Sequence, residues 1–130
     1  MTRFYFAADG DDVGHYLEYL MLRNESAKIF EFSKLFHKAM LWLENELIES
    51  FEAEIIFTGG DNVLARIKKT EHIINLIEKV RIEFQIKAGS TLSIGLGSTP
   101  REAYFALKLA KTSGKNCVRQ FRELEDFIDA

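Results

Sequence analysis

Glu52-Ala-Glu-Ile-Ile-Phe-Thr-Gly-Gly-Asp-Asn-Val-Leu-Ala-Arg-Ile67 is the stretch whose reading decides the fold. Glu52–Phe57 alternates toward apolar residues and reads as a strand, and Val63–Ile67 reads as another. Two strands joined by a short Gly-containing connection make a β-hairpin, with Thr58-Gly-Gly-Asp-Asn62 as its tip. Gly59 and Gly60 leave the backbone bare beside Asp61, so a bulky anion can approach there. Gly-Gly-Asp-Asn is also ordinary turn chemistry, and the hairpin alone assigns no function.

Upstream, Arg3–Ala8 is aromatic and apolar and predicts a first strand. Asp9-Gly-Asp-Asp-Val-Gly14 ends it in a sharp strand-to-helix turn, with Asp12 placed to cap the next helix. A helical pattern runs from Val13 to about Arg23, with Leu17, Leu20 and Met21 at helical spacing. Ser26 is placed to cap a second helix, to about Ser50, whose apolar face carries Ile29, Phe32, Leu35, Phe36, Met40, Leu43 and Leu47. Trp42 and His37 flank that stripe and receive no chemical role.

Downstream, Thr70-Glu71 opens a helix that buries Ile73, Ile74, Ile77, Val80 and Phe84 and ends at Gly89. Thr91–Leu96 alternates as a strand, and Pro100 opens a helix that stops at Gly114. Lys115–Val118 reads as a last short strand and Arg122–Ile128 as a terminal helical turn or two. The order predicts an α+β chain: a ferredoxin-like βαββαβ core, one sheet with helices on one face, with an extra C-terminal helix and strand.

The 130 residues bound one domain, 1–130. With 47% hydrophobic and 28% charged residues the composition is that of a soluble globular protein. A net charge of −3 gives no reason to expect direct DNA binding. A lone cysteine, Cys117, excludes a disulfide framework and points to the cytoplasm. No zinc spacing joins it to the histidines, and neither a signal peptide nor a membrane-spanning apolar run is visible.

Asp9 ends the first strand and Asp61 sits at the hairpin tip. In a βαββαβ sheet the first strand is central and lies beside a hairpin strand, so both acids fall on one edge. Paired carboxylates beside bare backbone suit Mg²⁺ (or Mn²⁺), which prefers hard oxygens and takes further ligands from water and substrate phosphates. The backbone N–H groups of Asp11, Asp12, Val13 and Gly14 open a helix, where dipole and free donors favour phosphate. Lys111, on the last turn of a helix, and Lys115 are cations able to reach a triphosphate from the side opposite the metals. The same aspartates also serve as helix caps, and the same lysines as dipole complements.

Ala103-Tyr-Phe-Ala-Leu-Lys-Leu-Ala-Lys-Thr-Ser-Gly-Lys-Asn116 resembles, without gaps, the late helix of GGDEF nucleotide cyclases, A-D-x-A-L-Y-x-A-K-x-x-G-R-N. Ser93-Ile-Gly95 resembles their S-I-G strand, Gly59-Gly-Asp-Asn62 their signature, and Asp9-Gly-Asp11 their D-x-D. Gly-Gly-Asp-Asn is also similar to the GGDD of the palm domain in type III CRISPR complexes. Compact size and the Ala8–Gly14 turn bring the resemblance nearest to the minimal CRISPR polymerases, stand-alone palm domains of antiviral defence that make cyclic nucleotides for partner effectors.

The resemblance implies Asp9 and Asp61 as catalytic Mg²⁺ ligands, with the Gly10 carbonyl as a third. It implies Asp11–Gly14, Gly59 and Gly60 at the phosphates, and Lys111 and Lys115 on the triphosphate. The implied activity is nucleotidyl transfer between two NTPs, ATP before GTP, in a homodimer whose cyclic product serves a downstream effector. Asn62 replaces the second signature acid, and an amide takes no proton. Leu17 and Ser26 stand where diguanylate cyclases read guanine, and an apolar shelf reads no guanine edge. Three alternatives remain open: a hydrolase of the archaeal third type of GTP cyclohydrolase, an NTP-binding sensor without turnover, and a plain ferredoxin-like interaction domain.

Overall fold

The computed structural model describes residues 2–123. In chain order the elements are β1 (Arg3–Gly10), α1 (Val13–Leu22), α2 (Ser26–Phe51), β2 (Glu54–Thr58) and β3 (Asn62–Lys68), then α3 (Ile73–Ala88), β4 (Leu92–Gly97), α4 (Pro100–Thr112) and β5 (Val118–Gln120). The sheet order is β2-β3-β1-β4-β5. β1 is central and antiparallel to both β3 and β4, and β5 adds parallel to β4. This is the ferredoxin-like arrangement with an added helix and strand.

Alternation along β1 divides the core. Phe4, Phe6 and Ala8 face α2 and α3, where Leu43, Leu47, Ile77 and Phe84 close the main cluster. Tyr5 and Ala7 face the other way, onto Ala103 and Leu107 of α4. The expectation of helices on one face therefore holds for α2 and α3 and fails for α4. The reason lies in β4, where a Cβ on Gly95 would run into the backbone of Ala103 and Leu107. Small residues let α4 lie directly on the strand, so β4 is buried on both faces.

Some local readings change. Asp12 holds the N-cap position of α1 in the left-handed region, φ 59°, and its side chain makes no capping bond. Ser26 is the first residue of α2 and not its cap, and Leu35 is exposed at 44% although its neighbour Phe36 is buried in the main core. α3 starts at Ile73, after a left-handed His72, instead of at Thr70. Pro100 does open α4, and Thr99 caps it by accepting from the Glu102 N–H. Lys115–Cys117 is not strand: Gly114, Lys115 and Asn116 have φ of 109°, 64° and 50°, and β5 begins at Val118. Residues 121–123 are helical, and the rest of the expected terminal turn lies outside the described residues.

Candidate active site

β1 and the hairpin tip meet at one rim of the sheet. Asp9 sits opposite Asn62 of β3 and Ser93 of β4. The Gly10 N–H donates to the Asp61 carbonyl at 2.8 Å. A side chain at Gly10 would crowd the turn, since a Cβ there would lie 2.8 Å from Val13 Cγ2 and 3.0 Å from the Phe36 ring. Asp9, Gly10, Asp61, Lys111 and Lys115 line an open cleft of about 330 Å³ with the Asp12–Gly14 turn. The two acids predicted to share an edge therefore face one space. Burial, and then the charge of Asp9, push the Asp61 carboxyl above its ordinary value, with Lys111 offsetting part of this.

Lys111 does not stand across from these acids. The last turn of α4 puts its Nζ 3.1 Å from Asp9 Oδ2, 2.9 Å from the Gly10 carbonyl and 2.8 Å from Asp11 Oδ1. Burial lowers the affinity of this amine for its proton, but the bonds to Asp11 and Asp9 outweigh it and raise the pKa. Lys115 Nζ lies 2.6 Å from Asp12 Oδ1, in the open.

Asp11 differs from its neighbours. Its N–H donates to the Thr91 carbonyl at 2.9 Å, so that donor is withdrawn from any phosphate. Its side chain is 4% exposed and accepts from Thr91 Oγ1, Ser93 Oγ, Lys111 Nζ and the Asn116 N–H at 2.7–3.0 Å. Burial pushes this carboxyl up, but the bonds from Lys111, Ser93 and Thr91 win and hold it below the ordinary range. In the turn, the N–H groups of Asp12, Val13 and Gly14 have no protein partner among the described residues. They are open donors at a helix start.

The tip glycines separate. The space beside Gly59 is filled by the Asn62 side chain, and the Gly59 N–H donates to the Asn62 carbonyl at 2.9 Å. Gly60 alone is bare, with nothing within 4 Å of a Cβ placed there. Asn62 Oδ1 is buried without a partner. Next to the tip, Leu17, Phe32 and Phe36 wall an apolar cavity of about 370 Å³, with Ser33, His37 and Asp61 at its edge. Leu17 is part of this wall and Ser26 is not.

Sequence reasoning missed Arg81, Thr91 and Asn116 as site residues and saw Ser93 only as strand. Thr91 and Ser93 are hydroxyls two apart in an apolar strand, which places both on one face. Arg81 is 9% exposed on α3 and donates to Asn116 Oδ1 and Glu78. The pairing of an α3 cation with a turn after α4 carries no local signal.

The donor set fits a hard divalent cation. Asp9, Asp61 and the Gly10 carbonyl offer oxygens only, and the Lys111 ammonium already stands as a cation on two of them. Among the described residues no three His, Cys, Asp or Glu side chains gather as a metal cluster, so an ion here would need further ligands from outside the protein.

The minimal CRISPR polymerase (mCpol) domain model matches residues 5–121. The chain belongs to that family. Its fold is shared with solved structures of low identity. The GGDEF domain of DgcB from Caulobacter crescentus, in complex with c-di-GMP, is 15% identical with a TM-score of 0.65, covering 93% of this chain and 79% of that one. The Csm1–Csm4 cassette in complex with cA4 is 22% identical with a TM-score of 0.64, covering 89% of this chain and 20% of that one. The same cassette with pppApA gives 21% and 0.66 over the same shares. No curated protein matches the chain. The palm-type fold therefore stands on the architecture, and membership of the mCpol family on the sequence match.

Proposed function

We propose that this mCpol chain is a nucleotidyltransferase that makes a cyclic dinucleotide from NTPs, ATP before GTP. The observation that carries the reading is the convergence of Asp9, the Gly10 carbonyl and Asp61 on one cleft beside the open N–H donors of the Asp12–Gly14 turn. Asp9, Asp61 and the Gly10 carbonyl would hold Mg²⁺ or Mn²⁺, which would supply positive charge to phosphate oxygens and acidify a hydroxyl. The chain's own residues do the rest. The turn amides and the Lys111 and Lys115 ammonium groups receive the triphosphate and the charge that builds on departing pyrophosphate. The apolar cavity holds the base, with Phe32 and Phe36 as its aromatic wall. Among the described residues no carboxylate other than Asp61 lines that cavity to pair with guanine's N–H edge, which supports adenine.

A ribose hydroxyl of one nucleotide attacks the α-phosphorus of the other. A P–O bond forms, the α–β bridging P–O bond breaks, pyrophosphate leaves, and the hydroxyl proton passes to solvent. A second, reversed transfer closes the ring. One cleft holds one nucleotide, so two chains face each other as a homodimer. Asn62 supplies no base, being an amide packed under the tip. Positioning and charge neutralisation provide the acceleration. In this reading the product signals in the cytoplasm to an effector of antiviral defence.

The test is incubation with single and mixed NTPs plus Mg²⁺ or Mn²⁺, with pyrophosphate and product mass as readouts. A cyclic dinucleotide made by wild type and lost in folded Asp61→Ala supports the reading. A hydrolysed mononucleotide would move the protein to the hydrolases. Binding without any product would make it a sensor, the second reading favoured by Asn62 in place of an acid.

A further inference from the structure

Asp11 is the most constrained side chain of the site, and its partners come from three other parts of the chain. Oδ1 accepts from Ser93 Oγ of β4 and Lys111 Nζ of α4, and Oδ2 accepts from Thr91 Oγ1, just before β4, and the Asn116 N–H. The two hydroxyls can rotate and accept instead of donate. The ammonium and the backbone amide cannot, because both are donors only. One such obligate donor sits on each oxygen, so both oxygens must be acceptors, which an ionised carboxylate provides and an amide does not.

The Asn116 end is demanding as well. Gly114, Lys115 and Asn116 hold φ of 109°, 64° and 50° in succession, a conformation that side-chain-bearing residues keep only where surrounding bonds fix it. Those bonds are the Asn116 N–H to Asp11 and to Ser93 Oγ, the Lys115 N–H to the Ala110 carbonyl, and Arg81 to Asn116 Oδ1. Lys115 projects from this turn toward the cleft.

We propose that Asp11 is the positioning residue of this site: it fixes where the Lys111 ammonium and the Lys115-bearing turn stand, while touching neither metal nor nucleotide itself. The inference rests on the proposed nucleotide site only for its consequence. When a divalent ion takes Asp9 and the Gly10 carbonyl, two of the three Lys111 contacts are contested, and Asp11 is the one that remains. Asp11 thus keeps Lys111 at the phosphates instead of releasing it to solvent.

Two readouts test this with Asp11→Asn. Lysine acetylation read by mass spectrometry on the free protein reports Lys111 directly. Its modification speeds up about tenfold in the variant, as expected for a lost charge-assisted hydrogen bond, while exposed Lys108 keeps its rate and circular dichroism shows an unchanged fold. Calorimetry then compares Mg·ATP with AMP, which lacks the β- and γ-phosphates. The ATP-over-AMP preference falls about tenfold with AMP affinity unchanged; a merely structural role would weaken both alike or neither. An unchanged Lys111 rate in folded Asp11→Asn overturns the proposal. If Asp11→Asn does not fold, Thr91→Val strips one donor and keeps the charge, and Lys111 modification rises about threefold; an unchanged rate there overturns it equally. A wild type that binds neither nucleotide sinks the cyclase reading, while the acetylation result still decides Asp11.

Discussion

The cleft has two sides that use acids in opposite ways. On the hairpin side, Asp9 and Asp61 face open space and repel each other, and Lys111, paired with Asp9, offsets part of that repulsion. On the α4 side, Asp11 is buried with a donor on every face, and the turn after α4 is bonded into place around it. Three aspartates within one site therefore differ in role because of their partners. The oxygens of Asp11 are filled by protein donors, while Asp9 and Asp61 line the open cleft.

The largest effect expected from breaking this contrast is on the packed side. Gly95→Ala puts a methyl into the backbone of α4, which neither side can yield, and costs at least about 3 kcal/mol or the fold itself. Urea denaturation reads it, and a loss near zero would mean that α4 does not lie on β4 as described. On the open side, Asp61→Ala lowers product formation by about 10³-fold or more, with stability held or raised. A variant that stays active moves the chemistry away from the tip.

The two sides also have opposite pH signs. Asp11 has a folded pKa below its ordinary 3.8, so its stabilisation is full above that value and lost as pH falls through the folded pKa. Asp61 has a folded pKa above 3.8, so its contribution favours folding below that value and disappears as pH rises through the folded pKa. At neutral pH, Asp61→Asn should therefore stabilise the metal-free protein and Asp11→Asn destabilise it. Thermal melts at pH 7 and in acid, about pH 3, separate them, and melts that shift in the same direction would contradict the assignment.

The hairpin, the helices and both open acids were legible because each rests on a local pattern: alternation, helical spacing, and an acid where a strand turns. Asp11's partners were not, since Thr91, Ser93, Lys111 and Asn116 lie far along the chain and meet only when β1 docks on β4. The Lys115–Cys117 turn was misread as strand because no residue type announces two left-handed side-chain-bearing residues in a row. The face taken by α4 was hidden for a related reason. Alanines and Gly95 mark close approach only once the facing element is known.

The smallest effects sharpen the tip. Gly60→Ala should change stability by less than about 0.5 kcal/mol, since its surroundings are empty. Gly59→Ala must displace the Asn62 side chain and should cost about 1–3 kcal/mol in the same denaturation assay. Equal costs would mean that Asn62 does not pack under the tip.

The central claim is that the open acids and the Gly10 carbonyl form a cation site that Lys111 occupies in the free protein. Mn²⁺ titration followed by electron paramagnetic resonance, without nucleotide, tests it directly. Asp61→Asn should bind Mn²⁺ at least about tenfold more weakly than wild type, and Lys111→Met should bind it more tightly because the competing ammonium is gone. Wild-type affinity in Asp61→Asn, or weaker binding in Lys111→Met, would contradict the account.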